Sequence, residues 1–114
     1  MREFATGATR DDDTDKPEYG GFLSPTVLHR FGLYMLKHQL QADGKRRNSD
    51  NWKKGIPVRA YYESLLRHVV DLGLHMEDRP DLARDSDAQE ILCAILFNVQ
   101  GLLYELLRGE DDVL

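Results

Sequence analysis

The sequence predicts an all-α fold: three main helices behind an extended amino-terminal arm, assembled as a helical-bundle dimer. Three observations carry this expectation. Apolar residues recur at helical spacing in three separate stretches, no period-two alternation persists beyond three or four residues, and start and stop signals bracket each stretch. The 114 residues make one domain of ordinary size, divided into an arm over residues 1–20 and a single helical domain over residues 21–114.

The arm holds Gly7, the run Asp11-Asp12-Asp13, Lys16-Pro17 and Gly20-Gly21, and it lacks periodicity. It is expected to be extended, either disordered or draped over a neighbouring subunit. Ser24-Pro25 then opens the first helix, with Ser24 as N-cap and Pro25 in the first turn. Val27, Leu28, Phe31, Tyr34 and Met35 give its apolar face, and it is expected to end between residues 41 and 44. The polar, basic stretch 45–55, with Trp52 as its large apolar residue, reads as a loop with room for a short helical turn. Pro57 starts a second helix whose core face is Val58, Tyr62, Leu65, Leu66, Val69 and Leu72, while Glu63, Ser64, Arg67, His68 and Asp71 fall on the opposite face. Gly73 is its expected stop. An acidic connection over 74–85 contains Pro80, and Ser86 with Gln89 forms a capping box for a third helix over 86–108. A short tail, 109–114, follows.

The net charge of -5 is segregated along the chain. Residues 1–20 carry three Lys/Arg against six Asp/Glu, residues 21–59 eight against two, and residues 60–114 four against twelve. A basic middle facing an acidic carboxyl half fits charge pairing between neighbouring helices, or a site that needs cations for phosphate and carboxylates for a metal. A single cysteine, Cys93, excludes an internal disulfide and a thiolate zinc site. The longest apolar run, 91–97, has seven residues against the ~20 needed to cross a bilayer, and the amino terminus is polar and acidic. No membrane span is expected, and a cytoplasmic protein is the simplest reading.

The third helix is nearly all apolar except for one stripe: Asp87, Glu90, Ala94, Asn98, Gly101 and Glu105. At about 3.6 residues per turn these fall within roughly a quarter of the circumference. The second and third helices should pack as an antiparallel pair, which sets Asp71, in the last turn of one, beside Asp87 and Glu90, in the first turns of the other. Converging carboxylates suit a divalent cation, and Mg²⁺, or Mn²⁺ in its place, commonly shares one or two protein carboxylates with substrate phosphates. Asp87 and Glu90 equally complement the helix macrodipole with no metal at all. Asp71 opposes the dipole, with Arg67 one turn earlier as a partial counter-charge. His68 is either a boundary residue of the apolar face or a group that touches phosphate or orients a water, since imidazole is a poor ligand for Mg²⁺. Asn98 either reads a nucleoside or bonds across a dimer interface, and Gly101 leaves room for a ligand or marks a close helix crossing. Lys45-Arg46-Arg47 and Lys53-Lys54 flank Trp52. Those residues suit a mobile loop closing over triphosphate oxygens, or a solvated loop anchored by Trp52, and support binding of a nucleic-acid polymer only weakly.

Five blocks then suggest a family. Gly7-Ala8-Thr9-Arg10-Asp11, Phe22-Leu23-Ser24-Pro25, Asp50-Asn51-Trp52 with Gly55-Ile56-Pro57, Ser64-Leu65-Leu66-Arg67-His68 with Asp71, and Leu92-Cys93-Ala94 with Phe97-Asn98 resemble short, largely bacteriophage-encoded proteins described as the dATP/dGTP diphosphohydrolase amino-terminal domain. The resemblance spans almost the whole chain. It implies removal of pyrophosphate from purine deoxynucleoside triphosphates, and an affinity with the MazG-like all-α pyrophosphohydrolases, which are helical, Mg²⁺-dependent oligomers with acidic pairs on adjacent helices. The chain departs from those in lacking a Glu-Glu-x-x-Glu helix; it offers Glu63 and His68-x-x-Asp71 instead, with Asp87-x-x-Glu90 as a loose second pair.

On this basis a Mg²⁺-dependent pyrophosphohydrolase of dATP and dGTP is expected, acting as a homodimer in the cytoplasm, a host cell's if the chain is phage-encoded. Asp71, Asp87 and Glu90 would hold the metal, Glu63 or His68 would orient the attacking water, Arg67, Lys53 and Lys54 would neutralise phosphate, and Asn98 and Trp52 would recognise the nucleoside. The competing expectations are a non-catalytic binder of a nucleotide or signalling molecule and an acidic phage protein-interaction module.

Overall fold

The arm begins as a tiny hairpin rather than an irregular strand. A computed structural model describes residues 2–109, and in it β1 (Arg2–Glu3) pairs antiparallel with β2 (Thr9–Arg10), Arg2 opposite Arg10. One turn of helix, α1 (Tyr19–Phe22), follows, and every residue from Glu3 to His29 is exposed. Ser24 caps α2 (Pro25–Gln39) as expected, its Oγ accepting the Val27 N–H at 3.2 Å, with Pro25 in the first turn. The helix stops at Gln39, earlier than the expected 41–44, because the chain turns back on itself there. The Gln41 N–H donates to the Lys45 carbonyl, the Arg47 N–H to the Gln39 carbonyl, and Gly44 takes a φ of 82° at the bend. A short 3₁₀ turn, Asn51–Lys54, carries Trp52.

The long hairpin is α3 (Val58–Met76) and α4 (Ala88–Arg108). They run antiparallel: Tyr61, early in α3, meets Gly101, late in α4, and His75 at the end of α3 lies 3.3 Å from the Asp85 carbonyl just before α4. Gly73 does not stop α3. The helix runs on to Met76, and the reversal falls at Asp78, whose φ of 60° lies in the left-handed region that Asp tolerates better than most residues. The capping box at Ser86 is also displaced by one position. Asp87 is the N-cap, its Oδ1 accepting the Gln89 N–H at 2.9 Å, because the Asp87 N–H is itself taken by Asp85 Oδ1 at 2.9 Å. Gly109, left-handed with φ 72°, ends α4 where the pattern places it. Of the tail, residues 110–114 lie outside the described part.

The core corrects the expected face of α3. Val58 is buried, but Tyr62, Leu66 and Val69 are 40–46% exposed, and the buried positions are Tyr61 and Asp71 instead. The helix is turned by about one residue from its apolar face, because α4 presents to it the stripe of small and polar side chains. Ala94, Asn98, Gly101, Glu105 and Glu90 are all buried, with Ile91 and Cys93 beside them. Leu92, Leu96, Val99, Leu103 and Leu107 are left exposed on the other side of α4. The hairpin therefore hides much of its polarity and displays leucines. By length and composition α4 is apolar enough to cross a membrane, which corrects the expectation from uninterrupted runs alone; core helices of soluble proteins meet the same description.

Candidate functional site

Helix α2 reaches the hairpin largely through charge. It has no fully buried residue, yet Arg30 Nη2 donates to Glu90 Oε2 at 3.0 Å and Arg30 Nε to Gln89 Oε1 at 2.9 Å. Lys37, two turns later on the same face, donates to Glu90 Oε1. Glu90 is thus a buried carboxylate clasped by two cations, and Asp87 Oδ2 stands 3.9 Å from Arg30. At the neighbouring end of α3, Asp71 is 4% exposed. Arg84 covers it, Nη2 and Nε reaching Oδ2 at 2.8 and 3.0 Å and the Arg84 N–H reaching Oδ1 at 3.4 Å. Burial pushes the Asp71 carboxyl up, but the Arg84 hydrogen bonds and charge outweigh it and hold the group below the usual carboxylate range.

His68, one turn before Asp71, has its Nδ1 buried without a hydrogen-bond partner among the described residues. Burial, aided by Arg84, favours its neutral form against the pull of Asp71 and Asp85. Asp85 also acts on the α2 rings Tyr34 and His38, whose centroids are 4.3 Å apart. Burial raises the Tyr34 pKa and lowers that of His38.

The structure brings His68, Asp71, Asp87 and Glu90 to one end of the hairpin, but it does not gather the carboxylates around a point. Among the described residues no three His, Cys, Asp or Glu side chains are placed to hold one metal ion. The partner of Asp71 is Arg84 rather than Arg67, which is exposed. Glu63 sits in a surface pair with Arg59 at 3.1 Å, roughly 12 Å along the helix from Asp71. Lys53 and Lys54 lie towards the other end, where the Lys53 carbonyl accepts from Arg108 at 3.0 Å. Asn98 is buried against α3 within the hairpin, and its Nδ2 donates to the Ala94 carbonyl at 2.8 Å. Gly101 marks a helix crossing, since a Cβ there would overlap the Tyr61 ring.

Trp52 lies edge-on to Phe97 and Tyr104, with ring centroids at 6.4 and 4.8 Å, and it borders a hollow of 250 Å³ that Tyr34 and His38 also line. A second hollow of 570 Å³, bounded by Leu28, Phe31 and Leu36, shares Trp52 and Phe97 with the first. Arg30, Lys37 and Arg84 are the functional candidates that sequence reasoning missed. Their carboxylates lie 60, 53 and 13 residues away, respectively, so no local spacing announces the pairs. Compared with family models, curated proteins and solved structures, the chain has no match.

Proposed function

We propose that the protein binds purine deoxynucleoside triphosphates where α2 meets the α3–α4 hairpin and releases pyrophosphate from them, acting as a homodimer in the cytoplasm. The burial of Asp71 and Glu90, each compensated by a cation whose own side chain stays largely in solvent, carries the proposal: Arg84 is 52% and Lys37 62% exposed. A buried carboxylate needs compensation, and long, solvent-anchored side chains supply it in a form that a ligand can displace. Phosphate oxygens would take Arg30, Lys37 and Arg84.

Carboxylate oxygens are the donors that Mg²⁺ prefers, but the present geometry does not make a coordination set, because the cations hold those oxygens. Metal binding at Asp71 or Glu90 therefore requires Arg84 or Lys37 to let go, and no step of the reaction is assigned to it. His68, kept neutral by burial, is the group able to accept a proton from a water. The substrate class rests on the five sequence blocks that resemble the dATP/dGTP diphosphohydrolase domain.

The exposed seams support the dimer. Tyr62, Leu66 and Val69 on α3 and Leu92, Leu96, Val99 and Leu103 on α4 recur every three or four residues, as in helices that pack against partners. A second reading, a nucleotide binder without turnover, is favoured by the cation already paired with each buried carboxylate of the site.

Incubation with dATP or dGTP and Mg²⁺, read by pyrophosphate release, tests both. Wild-type protein is expected to turn over and Glu90→Gln to lose roughly 100-fold with its helical content intact. A ligand-dependent rise in melting temperature without product would establish the binder, and full activity of Glu90→Gln would remove Glu90 from the site.

A further inference from the structure

We propose that the hollow between α2, the 48–52 loop and the middle of α4 is a nucleobase pocket, taking the purine ring while the phosphates run towards Arg30 and Lys37. This deepens the nucleotide reading above and rests on it for the phosphate end. The hollow, 250 Å³, has room for a flat heterocycle, and Tyr34, His38, Trp52 and Phe97 wall it. Tyr34 and His38 are tilted by 42° and Trp52 meets Phe97 at 77°, so rings bound the space from several sides, as stacking sites for bases do.

The polar groups narrow the ligand further. Gln39, Arg47 and Asn51 line the same space. Gln39 Nε2 donates to the Arg47 carbonyl at 3.1 Å, which fixes the amide and leaves its carbonyl oxygen as an acceptor. Carboxamides match the donor and acceptor edge of adenine, and a guanidinium matches the two acceptors of guanine, so the set fits purines. Position then ties the pocket to the charged site. Tyr34 and His38 are interleaved along α2 with Arg30 and Lys37, which hold Glu90, and Phe97 lies about 10 Å along α4 from Glu90, a span that a sugar and its first phosphates cover.

Trp52 is the only tryptophan in the chain, so its fluorescence reports on the pocket directly. The full chain is titrated without metal against 2′-deoxyadenosine, 2′-deoxyguanosine and inorganic tripolyphosphate. Saturable quenching by the nucleosides is expected, none by tripolyphosphate, and about tenfold weaker nucleoside binding in Tyr34→Ala and in Asn51→Ala with unchanged far-ultraviolet dichroism. Nucleoside binding without pyrophosphate release would keep the pocket and discard the hydrolase. Emission that ignores both nucleosides while dATP or dGTP is still cleaved would overturn the pocket, as would a Trp52 shielded from acrylamide because a second copy fills the hollow.

Discussion

Arg84 decides the fate of one buried charge. Asp71 is stabilised in its ionised form chiefly because a half-exposed guanidinium reaches over it; without that cover, burial, the largest influence on the carboxyl, would push its pKa up. With Arg84 present, the depressed pKa contributes stability above the ordinary carboxylate value, and that contribution disappears as pH falls through the lowered value. Arg84→Ala should therefore cost about 1–3 kcal/mol at pH 7, the lower end reflecting the exposed half of the pair. Asp71 takes up its proton more readily in the variant, so the deficit should shrink on acidification. Urea denaturation at pH 7 and pH 4 measures both, and an equal deficit at the two values would mean that Asp71 is not the group involved.

At the scale of helices, the starts of α2 and α3 and the end of α4 were legible, and the facing of α3 was not. Ser24-Pro25 and Gly109 act through contacts within a turn, so their signals sit in adjacent residues. Which side of α3 turns inward depends on a residue forty positions away: Gly101 opens a slot that Tyr61 fills, and Tyr61 carries Asp71 to the inside with it while Tyr62, Leu66 and Val69 turn out. Apolar periodicity finds a face; it does not say what covers that face. Likewise the polar stripe of α4 was visible as a pattern, but the cations Arg30 and Lys37 that meet Glu90 from α2 were not. Gly101→Ala tests the slot. Its better helix propensity is worth up to about 1 kcal/mol, whereas overpacking against a buried ring costs typically 1–3 kcal/mol, so a net loss in chemical denaturation is expected. A more stable variant would show that the crossing is looser than described.

For the whole molecule, the leucine seam is the dominant liability. Leu92, Leu96, Val99, Leu103 and Leu107 line one side of α4 with between 40% and 78% of their surface open, and exposed apolar rows of this kind mark association surfaces or aggregation liabilities. Leu96→Glu places a charge at the middle of that seam. It should convert the proposed dimer into monomer by light scattering while helical content persists; an unchanged oligomeric mass would mean that copies do not meet through this seam.

In the proposed dimer, the inverted hairpin would also tie each molecule's survival to how many others surround it. If its outer leucines are covered only by another copy, mass action makes folding itself depend on abundance. A cell making a little of this protein would then hold mostly vulnerable single chains, open to proteases and clumping, while one making it in bulk would hold durable assemblies. Supply becomes a threshold, below which the chain is perishable and above which it persists.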